Sequence, residues 1–309
     1  MIQGENKMVD RIDLEIAQVL GAPIDPNLKV PVALMEIAEI ETALPGELVR
    51  IFNNSAEDVQ TDVIYSVDAN GGLTINKVSP VAPATLAFVG LQSKLDYVLI
   101  DEILPAADQN ALARKKAGIT RAMDKQEVKR ICDAILGLAS QEVVQASGED
   151  IYDLLVKMVH SVEDSGDNYV LLAGSSVKEA IDNYDKENAD NFHYRIGIKE
   201  TLAQLGIKVI KMTGKVNGAA ILATAKLILV ARDSTLAIGK PITFVRRLMS
   251  PEITKLMNSE SAERAICVAQ APTVINGDGK NTLGYGVFGY ESIIETITNY
   301  RALAWAVLA

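Results

Sequence analysis

An α+β fold is predicted, with one long helix and one projecting β-hairpin, on three observations. No proline falls between Ala106 and Lys240, although the chain has ten. Within that stretch Val128, Ile131, Cys132, Ile135, Leu136 and Ala139 recur at the spacing of a single helix face. Ahead of it, Asp68-Ala69-Asn70-Gly71-Gly72 forms a turn signal between alternating runs, Val63, Tyr65 and Val67 on one side and Leu73 and Ile75 on the other.

Taken in order, residues 1–49 read as a loosely patterned arm. Pro23, Pro26, Pro31 and Pro45 break any long helix there, while Ile12, Ile16, Val19 and Leu20 allow a short one. Such an arm needs a partner surface, its own or a neighbour's. The hairpin around Asn70 has polar residues on much of both arms, so it is marginal alone and is expected to project onto something else. Leu86–Leu91 and Tyr97–Ile100 read as strands returning to the core.

The long helix is expected to reach back to about Asp108, with Leu112, Ile119 and Met123 on its stripe, a bend or split at Gly118, and Asp124 with Glu127 as an N-terminal capping pattern. A second helix follows Ser147-Gly148-Glu149-Asp150, its buried stripe being Ile151, Leu154, Leu155, Met158, Val159 and Val162. Beyond it come a strand at Tyr169–Ala173, a helix from Ser175 or Ser176 to Tyr184, a short helix at Ile198–Leu205 and a strand at Ile207–Met212. A central strand is read at Leu222–Arg232, and strand-rich sequence over Pro241–Leu248, Ala265–Ala271 and Val287–Leu308. Asn276-Gly277-Asp278-Gly279 marks a tight turn.

Composition narrows the function. At 309 residues and 49% hydrophobic, the chain can bury a large core. Its net charge of −10, from 40 acids against 30 bases, disfavours nucleic-acid binding as the main task. The densest basic run, Arg114-Lys115-Lys116, reads as a solvated face. Cys132 lies on the helical stripe and Cys267 far from it, which gives no disulfide framework. Met1–Asp10 is polar and carries no secretory pattern, and the apolar stretch Ala219–Ala231 is short and interrupted by Lys226. A soluble protein of the cytoplasm, with no membrane partner, is expected.

The motifs that would carry chemistry fail on context. Gly284-Tyr285-Gly286-Val287-Phe288-Gly289 is a GxGxxG, but too little chain follows to complete a dinucleotide-binding unit, and no buried strand precedes it. No phosphate loop is present. His160 and His193 stand in no metal-ligand spacing, and no nucleophile elbow occurs. No catalytic, metal or cofactor-binding residue is expected.

The order arm, hairpin, long helix, α/β block and β-rich return resembles the capsid fold of tailed-bacteriophage major capsid proteins, shared with herpesvirus shells and encapsulins. Ala231–Pro241 (ARDSTLAIGKP), Gly286–Ser292 (GVFGYES) and Asp150–Gly174 carry it most. The resemblance implies an N-terminal arm (1–49), an extended loop (50–98), a peripheral domain with a spine helix (99–149 and 232–300) and an axial domain (150–231 and 301–309). It implies hexamers and pentamers closing an icosahedral shell around double-stranded DNA, assembled in the host cytoplasm. The implied partners are a separate scaffolding protein, since the arm is short, a portal, and an optional decoration protein. An acidic coat would not stick tightly to the packaged DNA, which is held without sequence-specific binding. Asp62, Tyr65, Asn70, Gly71, Gly72 and Lys77 are the expected inter-subunit contacts. An encapsulin-like compartment is the nearest rival, and a cytosolic α/β enzyme the rival of another class.

Overall fold

The structure, a computed structural model, describes residues 32–47, 50–51, 84–85, 88–93, 96–99, 111–187, 197–233, 239–256, 262–275 and 281–309. The hairpin around Asn70, the segment around His193 and the turn at Asn276 lie outside them.

Two sheets organise these residues. In the four-stranded sheet, β6 (Asn168–Ala173) and β10 (Lys226–Arg232) are the central strands, with β14 (Leu303–Val307) and β7 (Ile207–Lys211) at its edges. β6 and β7 run parallel, and the other neighbours antiparallel. Both faces of the sheet are covered, so its central strands read as unbroken apolar runs rather than alternating ones. Leu171, Leu227, Leu229, Ala304 and Ala306 face α3 (Ile151–Val162), α4 (Ser175–Glu187) and α5 (Ile198–Gln204). Val170, Leu172, Ile228, Val230 and Trp305 face the other way, into a core shared with α1 (Val32–Ile37) and α2 (Ala111–Leu136).

All six residues of the α3 stripe are buried. Asp150 caps this helix, its Oδ1 accepting from the Asp153 backbone N–H at 2.9 Å, while Tyr184 of α4 donates to Oδ2 at 2.8 Å. One side chain thus starts one helix and fixes the next; such a cap contributes about 1 kcal/mol.

The six-stranded sheet is built on β13 (Asn281–Ile297). It pairs antiparallel with β12 (Arg264–Ile275), with β11 (Ile242–Arg247), and with the short β4 (Val89–Gln92) and β5 (Asp96–Leu99). β1 (Ala38–Ala43) joins parallel to β11. The last part of the arm therefore packs on this chain's own core, with Leu34, Ile37 and Ala38 fully buried. Two small antiparallel pairs complete the described strands, β2 (Arg50–Ile51) with β3 (Ala84–Thr85), and β8 (Lys215–Val216) with β9 (Ala219–Ala220).

Helix α2 is one continuous element of 26 residues, about 39 Å long. Two expectations change here. Gly118 does not split it, and Asp124 and Glu127 are not caps: they sit mid-helix and are buried. The central strand also starts later than its composition suggests, at Lys226: β9 ends at Ala220, and a turn closed by the Lys226 N–H donating to the Ala223 carbonyl at 3.0 Å intervenes. Cys132 is fully buried on α2, and that burial pushes its thiol up to about 12, so it acts as a small apolar residue.

Candidate functional site: a charged joint under the long helix

The buried stripe of α2 contains two carboxylates where apolar residues are the rule. Thr120, Met123, Asp124, Glu127, Val128 and Ile131 are all turned inward. Asp124 and Glu127, three residues apart, project from neighbouring turns onto the six-stranded sheet. The sheet answers with Arg246 at the end of β11, Arg264 at the start of β12, and Glu291 of β13, which is the cross-strand partner of Arg264.

The geometry is that of a closed network. Arg246 donates to both oxygens of Glu127, from Nε at 3.0 Å and from Nη2 at 2.9 Å. Arg264 donates from Nε to Glu291 Oε2 at 2.6 Å and from Nη1 to Asp124 Oδ1 at 2.6 Å, and its Nη2 lies 3.0 Å from Glu127 Oε1. Glu127 and Glu291 are fully buried. A half-exposed carboxylate, Glu263, stands 3.6 Å from Arg246. Further along, Arg130 of α2 pairs with Glu295 of β13.

Two guanidiniums face three buried carboxylates, so the joint holds one negative charge too many. The consequence falls on Glu291, whose carboxyl is pushed up to about 7, by burial first and by the Glu127 charge second, against the pull of Arg264. Burial also raises Asp124, with Arg264 opposing. Burial works against the charge on Arg264, but Glu291, Glu127 and Asp124 outweigh it and hold its proton more tightly than usual. The second oxygen of Glu291, Oε1, has no hydrogen-bond partner among the described residues.

Helix and strand close over this joint so tightly that one position admits only glycine. A Cβ on Gly289 of β13 would stand 2.5 Å from Met123 Sδ and 2.7 Å from Ile119 Cγ2. The last glycine of the GxGxxG is thus explained by helix–sheet contact: the motif lies inside β13, and no helix follows it. A second charged tie anchors α1, where Lys208 and Arg232 reach the two oxygens of Glu36 at 2.5 and 2.8 Å. The Lys208 hydrogen bond, above all, holds the Glu36 carboxyl below its ordinary value.

What this arrangement can do is mechanical rather than catalytic. Each acid is held by a guanidinium, and the joint fastens the long helix to three consecutive strands that lie far along the chain from it. Among the described residues no group of three His, Cys, Asp or Glu side chains is placed to hold a metal ion, and no helix is long and apolar enough to cross a membrane. His160 is exposed, with Nδ1 2.9 Å from Glu163.

The sequence-predicted contact residues, Asp62, Tyr65, Asn70, Gly71, Gly72 and Lys77, lie outside the described residues. Sequence reasoning missed the joint itself. The available signal was two acids, Asp124 and Glu127, in phase with the apolar stripe; their partners Arg246 and Arg264 stand 119 and 140 residues away from them.

No protein-family model and no curated protein matches this sequence. Solved structures do match in fold. A virus-like particle from Pyrococcus furiosus superposes with a TM-score of 0.52 at 12% identity, covering 94% of this chain and 96% of that one. The holo-SrpI encapsulin complex from Synechococcus elongatus gives 0.52 at 14% identity, over 92% and 88% of the two chains. Gordonia phage Cozz gives 0.50 at 13% identity, over 89% and 86%. The chain has the shell-protein fold that these particles share.

Proposed function

We propose that this chain is a shell-forming structural protein, the major capsid protein of a tailed bacteriophage, that assembles as hexamers and pentamers into an icosahedral shell around double-stranded DNA. The observation that carries the reading is the extent of the match: the shared fold spans nearly the whole of this chain and nearly the whole of one from a virus-like particle. The role is structural, not enzymatic. Its place is the virion capsid, with assembly in the host cytoplasm.

On this reading residues 1–49 form the N-terminal arm and 50–98 the extended loop. Residues 99–149 and 232–300 form the peripheral domain, and 150–231 and 301–309 the axial domain. The four-stranded sheet supports the axial part, with β6, β7, β10 and β14 all falling in it; in the six-stranded sheet β11, β12 and β13 fall in the peripheral domain, while β1 comes from the arm and β4 and β5 from the end of the loop segment. Asp62, Tyr65, Asn70, Gly71, Gly72 and Lys77 contact the neighbouring subunit, because a hairpin with so little apolar face is completed by another copy. Heterologous contacts of that kind close into rings and cages. A separate scaffolding protein, a portal and an optional decoration protein complete the partner set.

Negative-stain microscopy of the expressed protein tests this. Closed particles or capsomers are expected, and deletion of residues 61–78 is expected to leave a folded subunit that builds none. A wild-type chain that stays monomeric at high concentration sinks the reading. Particles that fill with an enzyme rather than with DNA assign the chain instead to the encapsulin-like alternative.

A further inference from the structure

The long helix lies along a single strand. Alternate residues of a strand share a face, and four successive ones of β13 meet α2. Gly289 touches Ile119 and Met123, and Glu291 is linked through Arg264 to Asp124 and Glu127. Ile293 enters the core that holds Ile131 and Ile135, and Glu295 pairs with Arg130. Close packing or a one-to-one ion pair serves at 289, 293 and 295. At 291 the charges do not balance.

The donors of the joint are unevenly shared among its three acids. Glu127 accepts from Arg246 on both oxygens and faces Arg264 as well. Asp124 accepts from Arg264, and 13% of its side chain remains open to water. Glu291 has neither advantage: it is fully buried, Arg264 reaches Oε2 alone, and Oε1 has no hydrogen-bond partner among the described residues. A bare carboxylate oxygen shut away from water is the least tenable of the three anions, so the proton that offsets the excess charge belongs on Glu291. Among the described residues the charged groups facing it are Asp124 and Glu127 from α2, Arg264 from β12 and Arg246 from β11, with the half-exposed Glu263 beside Arg246. The remaining neighbour, β4, pairs Leu91 with Glu291 and has no titratable side chain.

We propose that this proton is a latch: while Glu291 holds it α2 stays closed on β13, and when it leaves, helix and strand part locally at the joint while the four-stranded sheet stays shut. The two guanidiniums are already engaged by Glu127 and Asp124, so an ionised Glu291 is satisfied only by water. Two residues along, the seat at Gly289 has no room even for a methyl group, so water enters by separation of helix from strand. The sign follows from the two states. Closed, the Glu291 carboxyl is pushed up to about 7 by burial and by the Glu127 charge; opened to water, it returns toward its ordinary 4.5. The closed state thus binds the proton more tightly, and opening is suppressed in acid and grows as pH rises through neutrality. The latch belongs to the single subunit and does not depend on assembly into a shell.

Hydrogen–deuterium exchange of the full-length protein at pH 5 and pH 8 tests this, read as protection after correction for the intrinsic pH dependence of amide exchange. Peptides across 119–131 of α2 and 288–295 of β13 should lose at least about tenfold in protection from the lower pH to the higher. Peptides across α3 and β6 should not. Glu291→Gln, a neutral isostere, should keep the low-pH protection at both values. Glu291→Met leaves two guanidiniums for two buried carboxylates; it should also be insensitive to pH, and it serves if the glutamine variant does not fold. Glu295→Gln removes an acid from the same face of β13 outside the joint, and should leave the wild-type pH dependence in place. Wild-type protection that does not change with pH, or a loss spread equally over α3 and β6, overturns the latch. So does a pH dependence that survives in both Glu291 variants, or one that Glu295→Gln abolishes equally.

Discussion

The two sheets of this molecule share an apolar core with α2, in which Ile242, Phe244 and Ile293 of the six-stranded sheet also pack, but only the six-stranded sheet adds a buried ion network to it. The four-stranded sheet is apolar on both faces: Leu171, Leu227 and Leu229 meet α3, α4 and α5, and Val170, Leu172, Ile228 and Val230 meet the core under α1 and α2. The six-stranded sheet meets the middle of α2 through Asp124, Glu127, Arg246, Arg264 and Glu291. Apolar packing is non-directional and tolerates exchange of one aliphatic group for another. A buried ion network fixes partners and angles, and fails as a unit. One part of the subunit can thus absorb substitution, while the other is keyed to a single helix position.

The largest expected effect breaks the key. Glu127→Ala leaves Arg246 without its bidentate partner in a site where only 7% of that residue is exposed, and is expected to cost about 3 kcal/mol or more. Urea unfolding of unassembled subunits, followed by circular dichroism, measures it. Leu229→Ala in the other sheet should cost a comparable amount, about 2–5 kcal/mol, through a cavity. The two are told apart by rescue. Adding Arg246→Met to Glu127→Leu should recover much of the loss, since replacing both partners by apolar groups removes the orphaned charge. If the double variant is no better than the single one, the joint is not held by charge.

A smaller effect separates the two regions by pH. Glu291 has a folded-state pKa of about 7, above the ordinary carboxyl value near 4.5. For an acid shifted upward the folded state keeps a proton that the unfolded state has released, so stability falls as pH rises between those values. The slope is at most about 1.4 kcal/mol per pH unit from one group. Between pH 5 and 7 the wild-type subunit should lose stability, and Glu291→Gln should flatten that loss. Substitutions among the apolar residues of the four-stranded sheet should leave the slope alone. An unchanged slope in Glu291→Gln would mean that the excess negative charge rests elsewhere in the joint.

The same contrast explains how much could be read in advance. The α3 stripe, the strand at Asn168–Ala173 and the helix that follows were legible because burial there is written in local periodicity: each buried position is apolar and in phase. The long helix was legible for the same reason, but Asp124 and Glu127 were read as caps because acids within an apolar stripe ordinarily signal a helix start or a solvated edge. Their true role depends on Arg246 and Arg264, whose placement follows from the register of β11, β12 and β13, and pairing across such separations leaves no local trace. The β8–β9 hairpin did leave one. Asn217-Gly218 is a residue pair that a tight hairpin turn favours, and it stands just ahead of the apolar stretch that begins at Ala219.

The smallest effect tests the outer face of α2, opposite the joint. An exposed mid-helix glycine costs about 1 kcal/mol relative to alanine, and Gly118 has open space where a methyl would go. Gly118→Ala should therefore stabilise the isolated subunit by about 0.5–1 kcal/mol, read as a raised urea midpoint with an unchanged denaturant slope. The sign is opposite to that expected in the joint on the other side of the same helix, where a Cβ on Gly289 would stand within 3 Å of Met123 and Ile119. Two glycines on facing elements thus respond oppositely: at Gly289 the chain's own atoms fill the space, and at Gly118 they do not. A Gly118→Ala variant that loses stability would show that the space beside this turn of the helix is already in use within the subunit.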